Sequence, residues 1–201
     1  LTDLNKSGII NVGDRLEFII PVDDPDAGSC SIDLSLVGSY TPAFLPYDET
    51  RRRYYLVYDC ATATTENPSH IFTAIVTDKA GNRMNSLSSP FEVDCRLPAI
   101  EYASATFQDL KGKPGVVNIG DIVTIMAKVD LSKLDGGVPT VNLTAIGGNA
   151  GQQLYDDGAH NDGIAGDGLY RYTHTVIAGT TDGASTTFTV QVTDNAGNRA
   201  I

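Results

Sequence analysis

The chain has 201 residues, 25 Asp and Glu against 14 Lys and Arg, a net charge of -11, 20 Gly and no Trp. That balance disfavours nucleic acid and anionic membranes as partners and suits a soluble protein that attracts cations. No apolar run approaches the roughly 18 residues of a membrane-spanning helix, so no membrane insertion is expected. The start, LTDLNKSG, lacks a basic end and an apolar stretch, so any signal peptide is expected to have been removed or to lie outside this segment.

Residues 3 to 14 read DLNKSGIINVGD. Asp3, Asn5 and Ser7 alternate, Gly8 follows, and Asn11 and Asp14 take the ninth and twelfth positions. This is the ligand spacing of a twelve-residue calcium loop, in which oxygens fall at alternate positions and a glycine permits the sharp turn. The last ligand is Asp rather than a bidentate Glu, and no helical pattern flanks the loop. It therefore reads as an isolated calcium loop at the entrance of a strand, with a plain turn as the alternative. The strand is RLEFIIPV, with Leu16, Phe18, Ile20 and Val22 alternating inward.

Next come a strand bearing Cys30 and the apolar set Ile32, Leu34 and Leu36, then a group of tyrosines, Tyr40, Tyr47, Tyr54, Tyr55 and Tyr58. The tyrosines are either a binding platform or core and edge packing. Cysteine usage is odd, with Cys30, Cys60 and Cys95 and no CxxC pair, so zinc is not expected. A Cys30–Cys60 bridge in an oxidising compartment leaves Cys95 over; three reduced thiols are the alternative. Phe72, Ala74 and Val76 form another alternating strand, ending in TDKAGNR at 77–83. In this motif Asp78 is expected to bond local amides, while Gly81 and Asn82 take positive φ in a tight hairpin.

From PAIEYASATF onward the unit is written again. NVGD at 11–14 returns as NIGD at 118–121, and TDKAGNR returns as TDNAGNR at 193–199. Val123, Ile125, Ala127 and Val129 repeat the first alternating set, Val141 and Leu143 the second, and Phe188, Val190 and Val192 the third. Aligning Tyr47 with Tyr155 and Tyr55 with Tyr170 puts the longer copy's insertion in one loop. There the first copy has DETRRR and the second has DDGAHNDGIAGDG. Conversely, the second copy carries Lys111 and Lys113 where the first has its calcium-like loop.

The insertion packs Asp156, Asp157, Asn161, Asp162 and Asp167 into a glycine-rich turn. Calcium takes six to eight oxygens, and short acidic side chains on a sharply turning backbone are what crowd around one ion. The site is expected to hold Ca2+; the alternative is an acidic turn selected only for its geometry. His160 lies inside it, but an oxygen-rich calcium site has little use for nitrogen. No Ser or Cys nucleophile stands in a GxSxG-like setting, and the only other histidines are His70 and His174, so no enzyme activity is expected.

Short alternating strands, regular turn signals and the absence of helical periodicity give an all-β chain of two tandem immunoglobulin-like β-sandwich domains, 1–95 and 96–201. Together the TDxAGNR hairpins, the VNxGD entrance and the DDGxxxDxxAGDGxY loop resemble the tandem Ig-like repeats of bacterial cell-surface and secreted proteins. That resemblance implies calcium in acidic loops of this type and roles as stalks, adhesins, filament components or accessory modules beside enzymes.

Compared with its own repeat, the first copy lacks a leading strand and the second a final one. The chain thus reads as a segment cut from a longer array; the alternative is that neighbouring repeats or subunits supply the missing strands. Expected is a non-catalytic, calcium-stiffened structural or adhesive module at the cell surface or outside the cell. Its partners are neighbouring repeats, or a host or matrix protein or glycan. The alternative is a carbohydrate- or protein-binding accessory module of a secreted enzyme.

Overall fold

A computed structural model describes residues 8–23, 26–39, 42–61, 66–110, 112–177 and 185–201. Asp3, Asn5, Ser7, Tyr40 and Lys111 lie outside the described residues. The chain is all-β and forms two compact units, Leu1–Arg96 with Ala196–Asn198, and Leu97–Asn195 with Arg199–Ile201.

In unit 1, β1 (Arg15–Pro21) is followed by β2 (Ala27–Ile32), β3 (Ala43–Leu45), β4 (Tyr47–Asp48), β5 (Arg53–Asp59), β6 (Glu66–His70), β7 (Thr73–Asp78), β8 (Arg83–Leu87) and β9 (Phe91–Asp94). They pair as a three-stranded sheet β1-β5-β4, a four-stranded sheet β3-β2-β7-β8 and a ribbon β6-β9. The apolar faces of the two larger sheets close on one core. Leu16, Ile20, Cys30, Ile32, Leu45, Tyr54, Ala74 and Val76 are all buried in it, as period-two side chains on facing sheets must be.

Unit 2 repeats the plan with β10 (Ile100–Gln108), β11 (Ile122–Val129), β12 (Val138–Val141), β13 (Gln152–Gln153), β14 (Leu169–Thr175), β15 (Val190–Thr193) and β16 (Arg199–Ala200). Its sheets are β10-β11-β14 and β13-β12-β15-β16. Along β11 burial alternates without a break, with Val123, Ile125, Ala127 and Val129 inward. β11 is paired on both edges, by β10 and β14, whereas among the described residues of unit 1 its counterpart β1 is paired by β5 alone.

Three details depart from the strand patterns read in the sequence. The run Ile32, Leu34, Leu36 does not continue as a strand: Ser35–Val37 is a single 3-10 turn, which brings Val37 inward and leaves Leu36 half-buried. Thr144–Ile146 does the same in unit 2 with Ile146. The equivalence of Tyr55 with Tyr170 is one residue out. Tyr54 stands opposite Ile20 and Tyr170 opposite Ala127, so Tyr54 and Tyr170 correspond; because side chains alternate, a slip of one reverses which face they serve. Finally, β9 joins neither large sheet. It pairs with β6, and Ile10 bridges Val93 beside it.

The TDxAGNR hairpins behave as turn chemistry requires, with one correction. Gly81 and Gly197 have φ of 92° and 97°, while Asn82 and Asn198 do not adopt positive φ. Instead Asn82 donates from its backbone and its side chain to the Asp78 carboxylate, at 2.8 and 2.7 Å. Asn198, counted in unit 1, is buried, accepting from Val12 N at 3.1 Å and donating to Asp94 O at 2.9 Å.

Candidate metal centre in the acidic loop of unit 2

Between β13 and β14 the chain makes a compact loop whose entrance is closed by an antiparallel bridge between Tyr155 and Arg171. Its turns require left-handed backbone: Gly158, Gly163, Gly166 and Gly168 all have positive φ, as do His160 and Asn161. Gly168 is the most constrained. Besides a φ of 82°, a Cβ placed there would lie 2.8 Å from Val129 O.

This path folds the loop around its carboxylates. Asp156 accepts from Gly166 N (2.7 Å) and Asp167 N (3.2 Å) on one oxygen and from Gly168 N (2.8 Å) on the other. Asp162, 3% exposed, accepts from Gly158 N at 2.7 Å through Oδ2. Its Oδ1 is buried without a hydrogen-bond partner. Asp167 accepts from Leu169 N at 2.8 Å, and its carbonyl receives the Lys128 ammonium. One oxygen each from Asp156, Asp162 and Asp167 lie within 4.8 Å of one another. The charges of Asp156 and Asp162 add to burial, the larger cause, in pushing the Tyr170 phenol up.

One expected ligand sits elsewhere. Asp157 turns away from the other three, accepting from Ala159 N at 2.8 Å and meeting His160 Nδ1 at 2.9 Å. The Ala159 amide, and after it His160, hold its carboxyl below the usual range. The His160 ring stacks on Tyr155, with centroids 4.0 Å apart. Asn161 contributes its main-chain oxygen to Arg171 at 3.1 Å.

Of the candidate ligands in the loop of residues 3–14, Asn11 and Asp14 lie among the described residues. Both are buried, and Asp14 Oδ2 accepts from Asn11 N at 3.0 Å. The second copy shows what this Asp does in the fold. Asp121, fully buried, accepts from Asn118 N at 2.7 Å and from Leu110 N at 2.8 Å, closing its loop with both oxygens.

The tyrosines do not share a face. Tyr54 is buried with its ring 5.0 Å from that of Tyr47, Tyr58 donates to Val37 O at 3.2 Å, and Tyr55 lies under Arg53 on the other face of β5. Among the cysteines, all three are buried free thiols. The expected neighbour of Cys60 was Cys30; the thiol it meets is that of Cys95. Cys30 lies on β2, in the sheet opposite β5, with only burial acting on it, which pushes its thiol up to about 11.

No protein-family model and no curated protein matches the chain. Among solved structures, fibronectin(III)-like modules of CbhA from Clostridium thermocellum are similar at 16% identity, covering 100% of this chain and 88% of theirs, with a TM-score of 0.29. A chimeric titin Z1Z2 tandem carrying an exogenous fibronectin peptide is similar at 15% identity, covering 96% and 89%, with a TM-score of 0.28. Likenesses at that level add nothing to the strand pairing, on which the two-sandwich assignment rests.

Proposed function

We propose that this chain is a non-catalytic tandem β-sandwich module that works outside the cell as a structural or adhesive element, and that the acidic loop of unit 2 binds one calcium ion through Asp156, Asp162 and Asp167. The observation that carries the metal reading is Asp162 Oδ1. A carboxylate oxygen buried without a donor is costly, and a cation is the partner that removes the cost. Spacing supports it. Calcium–oxygen bonds of about 2.3–2.6 Å put ligand oxygens of one ion no more than about 5 Å apart, a limit the three carboxylates meet at 4.8 Å. The remaining ligands would be main-chain oxygens and water, as is usual for this hard cation.

The bound ion would act mechanically. It neutralises three converging negative charges and pins a long loop to β14, stabilising unit 2 by mass action because the unfolded chain cannot gather the same ligands. Tyr47, Tyr54 and Tyr58 pack inward on the core of unit 1, which favours this structural role over an aromatic sugar-binding platform. Partners in this reading are neighbouring repeats or subunits of the same protein, or a host or matrix protein or glycan. Isothermal titration of metal-free protein with calcium chloride tests it: one ion per chain is expected for the wild type and none for Asp162→Asn, while equal binding by both would refute the assignment.

A further inference from the structure

Unit 1 contains a second piece of unassigned chemistry, independent of calcium. Cys60 follows β5 and Cys95 follows β9, and they are 4% and 0% exposed. The segment 10–14 runs between them and holds both. On one side Gly13 N donates to Cys60 O at 2.9 Å and Cys60 N donates to Asp14 O at 2.8 Å. On the other, Ile10 N donates to Glu92 O at 2.9 Å and Asp94 N donates to Ile10 O at 2.8 Å. The side chains converge accordingly: both thiols are buried in the same core cluster, Cys95 Sγ donates to Ile10 O at 3.9 Å, and the Cys60 and Cys95 thiols interact. The neighbouring Cys95 thiol, and after it burial, pushes the Cys60 thiol far up, so in the folded unit it is not a reactive thiolate.

We propose that Cys60 and Cys95 form a disulfide when the chain folds in an oxidising compartment, while Cys30 stays a free core thiol. Two thiols held in one core against the same short segment need only a small approach to reach S–S bonding distance. Since both are buried, the oxidation belongs to the still-open chain. One protein thiolate attacks a sulfur of an external disulfide such as oxidised glutathione, breaking its S–S bond, forming a mixed disulfide and releasing one small thiol. The other protein thiolate then attacks the protein sulfur of that mixed disulfide and expels the second small thiol. Two protein thiols lose two electrons, and the small disulfide takes them up as two thiols. The bond ties the end of β5 to the end of β9 and closes a loop of about 35 residues, restricting the unfolded chain.

The test is to refold the denatured chain in reduced and oxidised glutathione, alkylate free thiols and map tryptic peptides without reduction. The three cysteines fall in separate peptides, 16–51, 54–79 and 84–96. Expected is a link between 54–79 and 84–96, with alkylated Cys30 in 16–51. A link that includes 16–51, or three alkylated cysteines, overturns the proposal. As a second readout, reductant lowers the unfolding temperature of oxidised wild-type protein by about 10 °C or more and leaves Cys95→Ala unchanged. An equal response of the two proteins to reductant contradicts it.

Discussion

Asp162→Asn isolates the calcium account because it keeps the shape of the side chain and the acceptor for Gly158 N, but replaces the buried, unpartnered Oδ1 with an amide nitrogen. Without metal, the change removes one of three charges whose oxygens lie within 4.8 Å. At an effective dielectric of about 20, two such charges 4.8 Å apart repel by about 3.5 kcal/mol, and solvent at the exposed Asp167 reduces this. In chelator the variant is therefore expected to be as stable as wild type or somewhat more so. With calcium the order reverses. A ligand at a hundred times its Kd stabilises the native state by about 2.7 kcal/mol. In a unit of about 100 residues each kcal/mol moves the transition by about 4–8 °C, so the wild type gains on the order of 10–20 °C. The variant is expected to lose most of that gain. Scanning calorimetry in chelator and in millimolar calcium reads both arms. Equal calcium shifts in wild type and Asp162→Asn, or a variant that is weaker in chelator by as much as in calcium, would refute the reasoning.

Asp157→Ala, which removes a carboxylate turned toward His160, is expected to keep the calcium shift within a few degrees of wild type by the same calorimetry. Gly168→Ala places a side chain at a φ of 82° and 2.8 Å from Val129 O. It should cost roughly 2 kcal/mol or more in urea unfolding, with or without calcium. Asp121→Ala leaves the Leu110 and Asn118 amides without their acceptor. A loss of about 2–5 kcal/mol is expected by denaturant titration. In the pH profile, carboxyls held low by their neighbours bind protons more weakly folded than unfolded: Asp78 by Asn82, Asp130 by Ser132 and Asp59 by Arg15. Their stabilisation is present above about pH 4 and is lost as the pH falls through the lower folded values. The unfolding temperature should thus decline below about pH 4; a flat profile down to about pH 2 would contradict those hydrogen bonds.

What was legible in the sequence was periodic or repeated. The alternation of Leu16, Phe18, Ile20 and Val22 and its return from Val123 to Val129 identify the inward faces, because a half-buried strand writes its burial in period two. The 3-10 turns at Ser35–Val37 and Thr144–Ile146 break that period by one residue, and only the packing of Val37 and Ile146 reveals it. In the acidic loop, Asp156 and Asp157 are equivalent as letters. Which one turns inward is decided by the backbone path through Gly158, Gly166 and Gly168, a three-dimensional property. Asp14 carried a ligand spacing that closing a turn also selects, as Asp121 shows in the copy that lacks the other ligands. The meeting of Cys60 with Cys95 depends on β9 leaving the sandwich sheets to pair with β6, and no local pattern records a long-range pairing of that kind.

The most direct measurement of the central claim is a crystal structure of the chain grown in millimolar calcium. Expected is an ion in the loop between β13 and β14 bonded to Asp156, Asp162 and Asp167 at about 2.3–2.6 Å, with Asp157 still on His160. A water molecule on Asp162 Oδ1 and no ion in that loop, at a calcium concentration that saturates any binding seen in solution, would contradict it.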